Sequence, residues 1–231
     1  DSHTGGYGKI SIKESFVKSS NVAVSKAINR VYAANPQGFV DRLYKMGLNK
    51  KLGIELAGEG APLIKSTDDE YWSGVSLPQM SIGYEVQMTP LQILTFYNAV
   101  ANDGKMVKPR FVTEVRKSGK LVKEYGLEVI NNSICSKKTI KMAKEMLEGV
   151  VEEGTGMNLR NSRYKIAGKT GTAQIANARS GYRGYESKVS HQASFVGYFP
   201  ADNPKYTCIV VVNAPSKNVY YGNLVAGPIF K

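Results

Sequence analysis

The run Cys208-Ile209-Val210-Val211-Val212, with its β-branched residues, predicts a strand over about 206 to 213. A second apolar run, Ala193-Ser194-Phe195-Val196-Gly197-Tyr198, predicts another over 192 to 199. Only Pro200-Ala201-Asp202-Asn203-Pro204 separates them closely, a short turn that makes the pair an antiparallel hairpin. A third strand is expected over about 165 to 175. Helical periodicity dominates the chain before these strands, so the expected class is α+β, an antiparallel sheet packed with helices.

Ala23, Val24, Ala27, Ile28 and Val31 repeat at helical spacing and predict a helix to about Ala34. Asn35-Pro36 opens a second helix with Phe39, Val40, Leu43 and Tyr44 inward, and Gly47 stops it. Residues 48 to 88 carry many Gly and Pro and read as loops and short turns, with Trp72 a packed anchor. Thr89-Pro90-Leu91-Gln92 is a capping box with proline at the first helical position. Leu91, Ile93, Leu94, Tyr97 and Val100 then form one broad apolar face, closed by Gly104. Phe111 to Val115 and Leu121 to Tyr125 form a hairpin across Ser118-Gly119. Ile140, Ala143, Leu147 and Val150 mark a helix from about Ser136 to Val151, ended by Gly154-Thr155-Gly156. No internal repeat or linker divides the 231 residues, and one domain, 1–231, is the simplest count.

The net charge is +12, which raises nucleic acid as a partner. The cations are dispersed, in Lys50-Lys51, Arg116-Lys117, Lys137-Lys138 and Arg179 to Lys188, and form no stripe with interleaved aromatics. A basic exterior facing an anionic membrane or wall polymer explains the same charge, so no nucleic-acid partner is expected. Arg179 to Lys188 reads as a mobile basic loop meeting an anionic substrate. No apolar run approaches the roughly 20 residues of a membrane span, and the polar start without Met suggests a mature form or a fragment. Of the two cysteines, Cys208 is expected in the core, and nothing in the spacing argues for a disulfide with Cys135. No Cys or His cluster has metal-ligand spacing, so neither a metal nor another cofactor is expected.

The chemistry concentrates in Gly168-Lys169-Thr170-Gly171-Thr172-Ala173-Gln174, at the start of a strand. Lys169 supplies a fixed positive charge, Thr170 and Thr172 supply hydroxyls, and Gly171 lets a substrate backbone approach the strand edge. That edge suits an extended peptide carrying a carboxylate. Lys-Thr-Gly alone is a short match that a solvated turn also satisfies. Ser19-Ser20-Asn21, opening an amphipathic helix, matches the Ser-x-Asn pattern that accompanies Lys-Thr-Gly in serine enzymes acting on β-lactams. Ser-x-Asn arises by chance about once in a few hundred residues. A second match, Ser216-Lys217-Asn218, follows the last strand and opens no helix.

The longer context is similar to the class B high-molecular-weight penicillin-binding proteins. The similarity runs, in the family's order, through Ser19 to Lys26, Gly53-Ile54-Glu55-Leu56-Ala57-Gly58-Glu59-Gly60, and Ser81-Ile82-Gly83-Tyr84-Glu85. It continues through Thr89 to Gln92, Ala101-Asn102-Asp103-Gly104, Gly154-Thr155-Gly156, Ala167 to Gln174, and Ala193 to Tyr198 with Pro200 to Pro204. The resemblance implies the penicillin-recognising serine-enzyme fold and a D,D-transpeptidase domain of the division branch. Its substrate would be a peptidoglycan stem peptide ending in D-Ala-D-Ala, its inhibitors β-lactams, and its partners division proteins. The parent would sit at the periplasmic face of the cytoplasmic membrane, tethered by an N-terminal helix absent from this chain. Ser19 would relay a proton, with Lys169 setting the electrostatics, and Asn21 would bind the substrate amide. Thr170 and Thr172 would hold the terminal carboxylate beside Gly171, and the Thr172 N–H would supply half an oxyanion hole.

In the family the nucleophile lies in a Ser-x-x-Lys several dozen residues before Ser-x-Asn. Ser15-Phe16-Val17-Lys18 abuts Ser19, and on one continuous helix it could not face Ser19 across a cleft, so it reads as a decoy. The upstream segment is therefore expected to be missing, and Ala226 to Lys231 resembles only the start of the family's final, C-terminal helix, leaving a fragment expected to be inactive. Its strand 206 to 213 would be a bare edge open to self-association. Rival readings are a non-catalytic β-lactam sensor domain, a secreted β-lactamase and a D,D-carboxypeptidase. His191 reads as structural.

Overall fold

A computed structural model describes residues 5–176, 189–216 and 219–231. The basic segment 179–188 and two residues of Ser216-Lys217-Asn218 lie outside the described residues. The described residues form two compact units, one within 21–140, the other within 5–20 and 141–231.

The first unit begins with α2 (Asn21–Tyr32) and α3 (Gln37–Lys45), which follow α1 (Ile12–Val17) of the second. Asn35 caps α3 by accepting from the Gly38 N–H at 3.2 Å, and Gly47 ends the helical stretch at φ 84°. Val40, Ile64 and Met80 are buried together, with Phe39, Leu43 and Trp72 packed on them, so Trp72 is the anchor expected. The segment read as loops contains a short helix, α4 (Ser76–Ser81), between the paired strands β1 (Leu63–Ile64) and β2 (Val86–Gln87). Ser25 of α2 bonds the Pro78 carbonyl at 3.2 Å and the Ser81 hydroxyl at 3.1 Å. These tertiary bonds stabilise α4 despite its internal proline. Val31 does not join the apolar face of α2 and is 68% exposed.

The segment Gly53 to Gly60 is held by one carboxylate. Glu59 accepts from the backbone N–H groups of Leu52, Gly53 (2.9 Å) and Ile54 (3.3 Å). In α5 (Pro90–Ala101) both bonds of the Thr89–Gln92 capping box form. The fully buried positions are Gln92, Thr95, Ala99, Val100 and Ala101, rather than the leucines. Gln92 tolerates burial because its Nε2 also donates to the Lys50 carbonyl at 3.2 Å. Next come β3 (Met106–Val107), β4 (Glu114–Lys117), β5 (Lys120–Glu124) and β6 (Val129–Asn131), with β3 pairing β6 and β4 pairing β5. The β4–β5 turn has Ser118 and Gly119 at φ 49° and 79°, the two left-handed residues a tight hairpin turn requires. The helix α6 (Lys137–Glu152) starts in this unit.

The second unit is built on an antiparallel sheet in the order β7 (Ala167–Gln174), β8 (His191–Phe199), β9 (Tyr206–Asn213). The last two strands form the predicted hairpin, paired from Gln192↔Asn213 to Phe199↔Tyr206. Val151, Leu159, Ile166, Phe195, Ala226 and Phe230 form the core, with Phe195 edge-on to Phe230 at 4.7 Å. Burying a side chain such as Phe195 contributes about 1.5–3 kcal/mol. Two short helices, α7 (Gly222–Val225) and α8 (Gly227–Phe230), pack on this sheet. Cys208 packs against the core but is only half-buried, and both cysteines are free. His191 stacks on Tyr220 at 4.0 Å.

Candidate functional site

β7 is fixed to β8 along its whole length, with Lys169 opposite Val196, Thr170 opposite Phe195, Gly171 opposite Ser194 and Thr172 opposite Ala193. Its other edge pairs with no strand among the described residues. Glycine at 168 is required by packing, because a Cβ there would lie 2.6 Å from Phe195 Cζ and from the Val196 carbonyl. Strand alternation places Thr170 and Thr172 on one face, and Lys169 with Gly171 on the other.

Ser19 reaches the same place from α1. That helix starts with a complete capping box between Ser11 and Glu14. At its end the Ser20 N–H bonds the Ser15 carbonyl at 2.9 Å and the Ser19 N–H bonds the Phe16 carbonyl at 3.1 Å. This is a Schellman closure, with Ser19 at the left-handed position that glycine usually takes, φ 56°. A non-glycine residue there costs roughly 1–2 kcal/mol, and such strain concentrates at functional sites. Gly154 holds the end of α1 in place. A Cβ on it would meet the Val17 carbonyl at 2.4 Å, and the next residue, Thr155, donates its N–H to that carbonyl at 3.3 Å.

The Lys169 Nζ donates to Ser19 Oγ at 2.5 Å and to the Thr170 carbonyl at 3.0 Å. It also lies 5.8 Å from the centre of the Phe16 ring. Among the described residues no carboxylate pairs with it. Burial without a counter-charge pulls its pKa down to about 8. The charge is therefore not fixed, as the sequence suggests, but available for proton transfer near neutral pH. The ammonium takes an acceptor position on Ser19 Oγ, which leaves the serine O–H to donate onward.

Thr170 Oγ1 is 2.9 Å from Thr155 Oγ1, and Thr172 Oγ1 accepts from the Gly222 N–H at 3.2 Å. Both hydroxyls are oriented by this chain. Packing also requires glycine at 171, where a Cβ would meet Ser194 Oγ at 2.4 Å, and at 222, where a Cβ would meet the Gly171 carbonyl at 2.6 Å. The missing side chain of Gly171 makes room for β8, and that of Gly222 lets α7 approach β7. Asn21 is the first residue of α2 in the first unit, where it is exposed.

The structure thus brings Ser19, Lys169 and Thr170 into one hydrogen-bonded group and sets Thr172 two residues along the strand. Sequence reasoning gives no role to Phe16, which stands only within the Ser15 to Lys18 match, nor to Thr155, although Gly154-Thr155-Gly156 is among the segments that resemble the family. Ser15 to Lys18 does not run on into α2, because the Ser19 turn separates the two helices. Ser15 is buried and its Oγ donates to the Ser11 carbonyl at 2.7 Å, while Lys18 lies 5.1 Å over Tyr7. A second Ser-x-x-Lys, Ser162 to Lys165, is not helical, and its lysine pairs with Glu148 at 2.5 Å.

The family model described as the penicillin binding protein transpeptidase domain matches residues 1–231. The penicillin-binding protein PbpB of Mycolicibacterium smegmatis is 35% identical over 210 residues, 87% of this chain and 31% of its own length. The peptidoglycan D,D-transpeptidase FtsI of Buchnera aphidicola is 32% identical over 215 residues, 93% of this chain and 35% of its own. The chain spans about a third of these relatives' length. The crystal structure of penicillin binding protein 3 from Mycobacterium tuberculosis, complexed with aztreonam, superposes with a TM-score of 0.80 at 31% identity. It covers 94% of this chain and 48% of that one. A Lys-Thr-Gly strand whose lysine grips the serine of Ser-x-Asn is thus set in a chain matched from end to end, and the chain belongs to the penicillin-binding protein transpeptidase domain family.

Proposed function

We propose that these residues carry the substrate-holding and proton-relay part of a class B D,D-transpeptidase of the division branch. The parent cross-links peptidoglycan stem peptides through an acyl-serine intermediate and is acylated by β-lactams at the same place. The observation that carries this reading is the 2.5 Å bond from Lys169 Nζ to Ser19 Oγ. When a D-Ala-D-Ala peptide acylates the nucleophile, the leaving amine needs a proton. Ser19 O–H supplies it and is replenished by the Lys169 ammonium, whose pKa near 8 lets it release a proton and then recover the one that the nucleophile's own hydroxyl gives up. Thr170 and Thr172 hold the terminal carboxylate, Asn21 holds the substrate amide, and the Thr172 N–H forms half of the oxyanion hole.

Neither Ser-x-x-Lys in these residues has an available hydroxyl one helical turn from an available lysine. We therefore assign the nucleophile to a Ser-x-x-Lys of the parent outside this sequence, and infer that these residues alone form no acyl-enzyme. Among the described residues no helix is long and apolar enough to cross a membrane. We place the parent at the periplasmic face of the cytoplasmic membrane, anchored by a segment other than these and working with division proteins.

The test is acylation of the full-length parent by a fluorescent penicillin. Lys169→Ala should lower the rate by at least the ~10²–10³ that loss of one transition-state donor costs elsewhere. A rate within a few-fold of wild type, with the fold intact, would remove Lys169 from the mechanism.

A further inference from the structure

We propose that the β4–β5 ribbon and the cleft at its base form a docking surface for a protein partner presenting an extended, acidic segment with apolar side chains. Every residue of β4 and β5 is exposed, and the two strands pack substantially only on each other. Val115, Leu121 and Val122 lie on this ribbon at 42%, 52% and 63% exposure. Phe111 and Leu127, just beyond its ends, are also exposed. A two-stranded ribbon with no third layer is marginal in water. Each strand also has one edge whose N–H and C=O groups pair with no other strand among the described residues. Apolar side chains beside an open backbone edge are the two features that strand addition uses.

Charge selects the occupant. From Lys105 to Tyr125 there are seven basic residues and two acidic ones. Glu114 is already held by Arg116, at 2.8 and 3.0 Å. At the tip Lys117 faces Lys120 directly across the strands, a like-charge pair that costs stability until an anion lies near it. Among the described residues neither lysine makes an ion pair. At the ribbon's base lies a cleft of about 350 Å³, lined by three cations, Lys108, Arg110 and Lys123, and three carboxylates, Glu55, Glu124 and Glu128. Glu128 pairs with Lys108 at 3.1 Å, so the unpaired charge that attracts an anion sits at the ribbon's tip. Arg110 donates to the Tyr125 carbonyl at 2.6 Å and Lys123 sits 4.3 Å over the Tyr125 ring, so the cleft is braced. An anionic lipid surface would satisfy the lysines but not the strand edges, and a protein segment satisfies both.

The probe is a blocked nonapeptide of alternating glutamate and valine, titrated into the full chain by calorimetry and followed by amide exchange. Binding should slow exchange at residues 114–124 and weaken at least tenfold in the charge reversal K117E/K120E, both exposed positions. Raised salt should weaken it without abolishing it, an arm that needs no variant. A blocked nonaglutamate, lacking apolar side chains, should bind at least tenfold more weakly. The proposal is overturned if the alternating peptide leaves 114–124 unprotected, or if nonaglutamate binds equally well. It is also overturned if phosphatidylglycerol vesicles retain the chain while the peptide does not bind, or if amide exchange at 114–124 slows with rising chain concentration in the absence of peptide, which would make a second copy the occupant.

Discussion

Replacing Lys169 with methionine, which keeps the length and apolar stem but cannot ionise, should change how stability depends on pH. In the unfolded chain a lysine titrates near 10.4. In the folded protein burial holds Lys169 at about 8. Between these values the unfolded state binds the extra proton, so this group makes the wild type more stable as pH rises from about 8 to 10.5, and its penalty is fully present below 8. The full shift corresponds to about 3 kcal/mol, and the part recovered between pH 7 and 9.5 to about 2 kcal/mol. Residual contact with solvent makes that an upper figure. The assay is urea unfolding of wild type and Lys169→Met at pH 7 and 9.5, read as the difference of differences so that groups common to both cancel. Work above pH 10 is avoided because Tyr97, its phenol pushed far up by desolvation, then adds a destabilising slope of its own. The wild type should gain up to about 2 kcal/mol on the variant over this interval. Parallel pH profiles would refute the reading of Lys169 as a desolvated, proton-donating lysine.

Gly154→Ala should cost about 1–3 kcal/mol in urea unfolding, because the new methyl meets the Val17 carbonyl at 2.4 Å. In the full-length parent it should also slow penicillin acylation by shifting Ser19 relative to Lys169. An unchanged midpoint and rate would separate α1 placement from the site. The chain should self-associate through β9, the outer strand of its sheet, where Ile209 to Val212 lie beside an edge that pairs with no other described strand. A strictly monomeric species in sedimentation velocity would end that expectation.

Features written in adjacent residues were the legible ones. The Thr89–Gln92 box, the Ser118-Gly119 turn and the Pro200 to Pro204 connection each encode their geometry locally, and each forms as expected. α4 was not legible, because Ser76–Ser81 is short and holds a proline, and its support comes from Ser25, over fifty residues away. Leu91 and Leu94 outrank Gln92 on any hydropathy scale, yet Gln92 is the buried residue because a distant carbonyl satisfies it. At the site the residue types were readable and their states were not. Ser19's left-handed backbone, Lys169's lowered pKa and the reason for Gly171 all depend on neighbours that arrive only with the fold.

If these residues hold the substrate and relay its proton but do not supply the nucleophile, intact-mass spectrometry after incubation with penicillin will show it, using this chain alone beside the full-length parent. The parent should carry a one-to-one covalent adduct and the chain none. A stoichiometric adduct on the chain, lost in Ser15→Ala, would show that the buried serine of α1 is the nucleophile and would contradict that expectation.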